Sequence, residues 1–379
     1  MSTLVDDARI QRVTKIAAEY AAEVDAAARP PHEAVAALKE ERLLSCCLPA
    51  ELGGEGIGVT ELARIARLLG ASCSATGMIF AMHHSQALGL VRYAELDAVA
   101  EIGRRAADTE ALIASATTEI GTGGDVSSSV CAVEADGDRV QVTKNAPVVS
   151  YAEIADYIFT TTRRGPQSPA GDQVLVAAPV GDIEMTRTST WDTIGLRGTA
   201  SPGYLLAIDT AAGNVFPVDY ATISASTMLP GSHTLWSAVW LGIADAAVGK
   251  ARAKARSAYD PDKPSPVALR FADLLQRQQR FEAILEQGLG QFEQLLRTRS
   301  EPTASFSLAM NNIKMEAAVH VADIVMAALA IVGINGYRRN HAASMDRLLR
   351  DSFGPQLMIS NERIRQNNAD LALMTRGTR

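Results

Sequence analysis

Val130-Cys131-Ala132-Val133-Glu134-Ala135-Asp136-Gly137-Asp138-Arg139-Val140-Gln141-Val142 alternates apolar and polar side chains about an Asp-Gly pair. Alternation with period two marks a half-buried strand, and Asp136-Gly137 suits a type I′ turn, so the stretch predicts a β-hairpin. More strands are expected after it, at Tyr157 to Thr162, Gln173 to Val180, Ile183 to Thr188 and Tyr204 to Asp209, with a polar Gly- and Pro-containing loop from Arg163 to Asp172. Short strands at this spacing predict a small β-barrel or sandwich.

On either side of these strands the period is that of a helix. Residues 4 to 108 are Ala-rich, and Ile10, Val13, Ile16, Ala17 and Tyr20 share one helical face until Pro30-Pro31 ends it. Leu48 to Gly58 is a Gly-rich turn region between helices. Downstream, Phe271, Leu274, Leu275, Gln278, Phe281, Leu285, Leu289, Phe292 and Leu296 form one long stripe, the pattern of a bundle helix. Ser307 to Val332 is a second long helix, Gly333 to Tyr337 a break, and helix resumes from Ser344. The expected fold class is therefore α+β. An N-terminal helical domain spans 1–110, a middle β-domain 111–218, and a C-terminal four-helix bundle 219–379.

Composition excludes some functions. A net charge of −7, without a Lys/Arg cluster, gives a nucleic-acid backbone nothing to bind. No apolar run is expected to approach the ~20 residues that a membrane span needs. Asp6, Asp7 and Arg9 near the start do not fit a signal peptide, so the expected compartment is the cytoplasm. Cys46, Cys47, Cys73 and Cys131 lack metal-ligand spacing and are expected to be reduced, buried thiols, with no metal site.

Four segments, in order, resemble motifs of the acyl-CoA dehydrogenase superfamily. Leu48-Pro49-Ala50-Glu51-Leu52-Gly53-Gly54 is similar to its LPxExGG turn. Thr118-Glu119-Ile120-Gly121-Thr122-Gly123-Gly124-Asp125 is similar to its TEPxAGSD loop. Trp191 to Ser201 resembles the GxRGSxT segment. Gly333-Ile334-Asn335-Gly336-Tyr337, with Arg347, Arg350 and Asp351, resembles GGxGY…RxxRD. The resemblance implies FAD as cofactor, held near Thr118, Gly121, Gly123, Ser150, Trp191, Gly333 and Gly336. It also implies an acyl-thioester or other small-molecule substrate, an electron-transfer flavoprotein as possible partner, and a homodimer or homotetramer. From the residues alone, Gly121 to Gly124 is either a ligand-facing loop with free amides or a plain turn, and Gly333 to Gly336 either a close-packing point or a helix break.

The reaction implied is α,β-dehydrogenation of a CoA- or carrier-linked acyl group, which needs a carboxylate to take the α-proton. Aligned on Ile364, the family's usual base position holds Ile359, and the alternative position falls near Ser232. Glu362 and His233 are the candidate substitutes. Glu362 is otherwise a surface partner for Arg363 or Arg365, and His233 a polar residue at a helix start. His83-His84 either face the flavin or divide into one packed and one solvated ring. Val148, where the family often has an aromatic, leaves one flavin face open to oxygen. Two alternative functions therefore stand beside dehydrogenation. One is a flavin monooxygenase of the same fold using reduced flavin and O2, the other a non-catalytic flavin- or acyl-binding protein.

Overall fold

The computed structural model describes residues 4–263 and 265–374. Five helices come first: α1 (Asp7–Ala27), α2 (His32–Glu40), α3 (Val59–Ser72), α4 (Ser74–Arg92) and α5 (Asp97–Asp108). Seven strands follow: β1 (Ile113–Ala116), β2 (Glu134–Asp136), β3 (Arg139–Ala146), β4 (Tyr157–Arg163), β5 (Gln173–Pro179), β6 (Ile183–Arg187) and β7 (Tyr204–Ala211). The chain then returns to helix with α6 (Tyr220–Ile223), α7 (Leu229–Ser257), α8 (Pro266–Thr298) and α9 (Ala304–Val332). The short α10 (Ile334–Tyr337), α11 (Asp346–Asp351) and α12 (Gly354–Leu357) precede α13 (Asn361–Met374).

Local chemistry sets the helix ends. The Asp6 carboxylate accepts from the Ala8 amide at the start of α1. Ser265 and Thr303 do the same for α8 and α9, accepting from Ala268 and Phe306. Each side chain satisfies an amide that the first helical turn leaves without a partner. Between α6 and α7 the helix widens into a π-turn at Ser224–Met228, a feature that often stands beside functional residues.

The strands form two sheets, β1-β4-β5 and β2-β3-β7-β6. In β3 and β7 every second residue is buried, so each has one covered face. The hairpin pairs Asp136 with Arg139, so the two turn residues are Gly137 and Asp138, one position later than the sequence suggests. Gly137, the first of the two, has φ 60° while Asp138 does not have positive φ, which makes this a type II′ rather than a type I′ turn. β1 carries no strand signal in the sequence, being four residues of Ile, Ala, Ser and Ala. It pairs parallel with β4, an arrangement that needs a long crossover.

The apolar stripe of α8 is core of the single chain. Leu274, Phe281, Leu285, Leu289 and Phe292 are buried, and α8 packs on α7 and α9. The outward apolar side chains are instead on α9, where Val319 and Met326 are exposed. Contrary to expectation, α9 is long and apolar enough to cross a membrane by length and composition. Half of its apolar window is buried against the rest of the fold, as in the core helix of a bundle. All four cysteines are free and buried.

Candidate active site

One end of the β3–β7 sheet collects most of the singled-out residues. β3 ends at Ala146 opposite Tyr204, the first residue of β7, and Tyr204 also pairs with Arg187, the last residue of β6. The loop carrying Thr118 and Gly121 lies against the same end, with the Ile120 amide on the Asn145 carbonyl at 2.9 Å. Behind it, the buried Glu119 carboxylate accepts from the Cys131 amide at 2.7 Å and from Lys144 Nζ at 3.5 Å, which fixes the loop from below.

Gly121, Gly123 and Gly124 all have positive φ, at 105°, 62° and 82°. Their amides make no hydrogen bond among the described residues. Three free N–H groups within four residues of a surface loop can face an electron-rich ligand edge. Ser150 stands beyond β3, and its hydroxyl accepts from Ser201 Oγ at 2.8 Å. Ser201 in turn contacts Thr199 Oγ1 at 2.9 Å, and Thr199 donates to the Leu196 carbonyl. Trp191 Nε1 reaches that same carbonyl at 3.4 Å. Thr118, Gly121, Ser150 and Trp191 are thus at one sheet end, and each is at least partly exposed. Val148, two residues before Ser150, is 41% exposed, so this end has an open apolar face.

The C-terminal segment closes on this end. Asp351 is buried and its Oδ1 accepts from the Leu196 amide at 2.7 Å. Burial raises its carboxyl above the usual range. Arg350 binds the Ile194 carbonyl at 2.8 Å and the Asp25 carboxylate of α1 at 2.9 Å. The Arg350-Asp351 pair therefore ties α1, the 191–201 segment and α11 together, a structural role for these motif residues. Further on, Arg363 donates to the Gly123 carbonyl and lies alongside Gly124.

Gly333 and Gly336 are not part of this assembly. They follow the far end of α9, about 28 Å along its axis from Lys314 at 1.5 Å per residue. Gly336 packs where a Cβ would meet Leu329 and Val332, and its carbonyl accepts from the Met345 amide.

The two candidate bases have different surroundings. Glu362 has an 80% exposed side chain paired with Arg365, the surface arrangement. His233 is buried near the start of α7, directly after the π-turn, with Nδ1 on the Met310 carbonyl at 3.2 Å. Burial, helped by the nearby Lys314 charge, lowers it to about 3, so it is a neutral imidazole at neutral pH. His83 and His84 are both buried, which corrects the division into one packed and one solvated ring. His83 is spanned by the Leu44 carbonyl at 2.8 Å and the Ile113 amide at 3.0 Å, a staple between the first helices and β1.

Sequence reasoning missed Lys314. Its side chain is fully buried on α9, one turn after Met310. Its Nζ donates to the Ile359 carbonyl at 2.6 Å and to Asn361 Oδ1. No carboxylate pairs with it among the described residues, and burial lowers it to about 8. The available signal was a single lysine between Ile313 and Met315 in an otherwise apolar helix. Ile359 itself sits at φ 58°, a rare backbone state for a β-branched residue.

Residues 4–110 match the family model for the acyl-CoA dehydrogenase N-terminal domain. The chain carries the acyl-CoA dehydrogenase N-terminal domain on the acyl-CoA dehydrogenase fold. Solved structures of this fold align over nearly its whole length. FMN-bound TdsC, a dibenzothiophene monooxygenase from Paenibacillus sp. A11-2, superposes with TM-score 0.83 at 17% identity, covering 98% of both chains. Butyryl-CoA dehydrogenase from Megasphaera elsdenii gives 0.82 at 17% identity, over 99% of this chain and all (100%) of the other. KijD3, in complex with FMN and a dTDP-linked amino-keto sugar, gives 0.80 at 20% identity, over 98% and 92%. At these identities the likeness is one of fold. No curated protein sequence matches. On the acyl-CoA dehydrogenase fold the donor set at the sheet end fits a flavin. Free loop amides and short hydroxyls suit the carbonyl and ring-nitrogen edge, and Gly121 to Gly124 allow close approach.

Proposed function

We propose that this protein is a flavin-dependent oxidoreductase that uses reduced flavin and O2 on a small molecule, rather than an acyl-thioester dehydrogenase. One observation carries this reading. The resemblance aligns Ile359 with the carboxylate base of dehydrogenases of the fold, and the Lys314 ammonium binds the backbone carbonyl of that residue. An ammonium there has no lone pair to take a proton, and it suits negative charge developing nearby. Two acidic groups of the same C-terminal segment are committed elsewhere, Asp351 to the Leu196 amide and Glu362 to Arg365. A bound flavin supplies the electron transfer. The chain's own part is to orient the flavin with Gly121, Gly123, Thr118 and Ser150, to leave the Val148 side open, and to hold the 359–361 turn with Lys314.

A second reading keeps dehydrogenation, with His233 as base and an electron-transfer flavoprotein as acceptor. It is favoured by one feature: Nδ1 is taken up by the Met310 carbonyl, which leaves Nε2 as the acceptor nitrogen of a neutral ring. The low pKa of about 3 makes that nitrogen a weak proton acceptor.

Anaerobic titration of the purified protein with FMN, reduced FMN and FAD, followed by butyryl-CoA, separates the two. The expected result is flavin binding without bleaching by the thioester, and altered flavin reoxidation when O2 is admitted. Rapid bleaching by straight-chain acyl-CoAs overturns the proposal. No binding of any flavin would instead favour a non-catalytic protein.

We also propose a homo-oligomer that covers the outward face of α9 at Val319 and Met326. Val319→Glu with Met326→Glu should convert a sedimenting dimer or tetramer to monomer. A parent protein that already sediments as a monomer at micromolar concentration removes this interface.

A further inference from the structure

We propose that the chain from Ile359 to Met374 is a lid over the glycine loop, hinged at Ile359, clasped by Arg363, and set in position by Lys314. The proposal rests on the reading of that loop as the ligand's seat, and deepens it by assigning what controls access.

α13 is weakly anchored for its length. Of its 14 residues, the apolar side chain it buries is Ile364, while Leu373 and Met374 at its end are largely exposed. Its contact with α9 is polar. Asn311 Nδ2 donates to Asn367 Oδ1 at 2.9 Å and to Asn368 Oδ1 at 2.8 Å, and Asn368 Nδ2 donates to Asn312 Oδ1 at 3.1 Å. Amide pairs of this kind exchange readily with water, so separating the two helices exposes little apolar surface. Such an element belongs to the low-stability end of a fold, where moving parts are found.

The hinge is a strained residue held by a buried cation. A β-branched side chain at φ 58° persists only where its surroundings over-determine it. Lys314 does so by gripping both sides of the turn, the Ile359 carbonyl and the Asn361 side chain. Releasing that grip lets Ile359 relax toward an ordinary backbone state and swings α13 away. At the other edge, Arg363 donates to the Gly123 carbonyl, between the amides proposed to face the ligand. The clasp therefore closes onto the loop itself, and a ligand seated on those amides is under the Arg363 side chain. Lys314 is a positioning residue in this scheme: it acts through the turn.

Hydrogen–deuterium exchange of the full chain, with and without FMN, tests the lid. Peptides from 361–374 should exchange at least about tenfold faster than peptides from the second half of α9. Arg363→Ala, a surface change, should speed them further and leave α7 unaltered. Lys314→Met should do the same from the hinge, and Lys314→Arg, which keeps a donor, should restore parent behaviour. FMN should slow exchange of 361–374 in the parent and not in Arg363→Ala. Exchange of α13 as slow as that of α9, or unchanged by Arg363→Ala, overturns the lid even when quenched fluorescence shows FMN bound. Fast, Arg363-dependent exchange without any FMN binding supports the lid and refutes the flavin reading instead.

Discussion

Gly242→Ala is expected to destabilise the protein by about 3 kcal/mol or more, the upper end for overpacking a tight contact. A Cβ at Gly242 would stand 2.1 Å from the Arg67 carbonyl and 2.8 Å from the Ala71 amide of α3. These are backbone atoms, so no rotamer change relieves the clash and the helices themselves must part. Parting is resisted, because Arg67 reaches across the same crossing to Asp245 of α7 at 2.5 Å and to Glu282 of α8. Gly70 and Gly77 continue the close approach: their Cβ atoms would lie 2.4 Å from the Val239 carbonyl and 2.7 Å from the Gly70 amide. The crossing joins the N-terminal helices to the C-terminal bundle, so its loss should lower the urea midpoint of the whole chain. Gly249→Ala, on the same helix, is the control, since a Cβ there meets nothing. It should gain about 1 kcal/mol from helix propensity. Equal midpoints for the two variants would show that α3 and α7 are not in this contact.

The second large effect concerns the base. Ile359→Glu is expected to raise α-proton exchange of bound butyryl-CoA by about 10²–10⁴-fold, the usual contribution of a positioned general base. The substitution also removes a β-branch from a position at φ 58°, so it should strain the backbone less than isoleucine does. Lys314 binds the carbonyl of the same residue at 2.6 Å, and its charge should keep the new carboxylate ionised. Deuterium uptake from D2O at the α-carbon, followed by NMR, measures the effect directly. A parent protein that already exchanges at the rate of the variant would reveal another base. His233→Ala and Glu362→Gln would then locate it, with the buried, neutral His233 the stronger candidate by geometry.

How much of this was legible depends on the range of the interactions involved. Strands β3 to β7 announced themselves because alternation and turn residues are local properties, set within a few residues. The hairpin turn came out one residue off because Gly137 can serve in either turn type, and the cross-strand pairing of Asp136 with Arg139 chooses between them. The fold could be read because four motifs stand in order along the chain, including the Arg350-Asp351 pair whose partners proved to be structural. The resemblance, aligned on Ile364, puts Ile359 at the family's usual carboxylate position and a residue near Ser232 at the alternative one, a reading that needs residue type alone.

What the sequence could not decide was which side chains meet. Lys314 and Ile359 are 45 residues apart, and Arg363 and Gly123 are 240 apart. No periodicity encodes such contacts, because they arise only when α9, α13 and the sheet end are packed together. The same holds for the α8 stripe. Its pattern says that one face is apolar, but whether that face meets its own chain or another copy depends on where α7 and α9 lie. Glu362 and His233 both stood as candidates because each residue type can accept a proton, whereas burial and neighbours, set by tertiary structure, leave one as a surface ion pair and the other as a neutral ring in the interior.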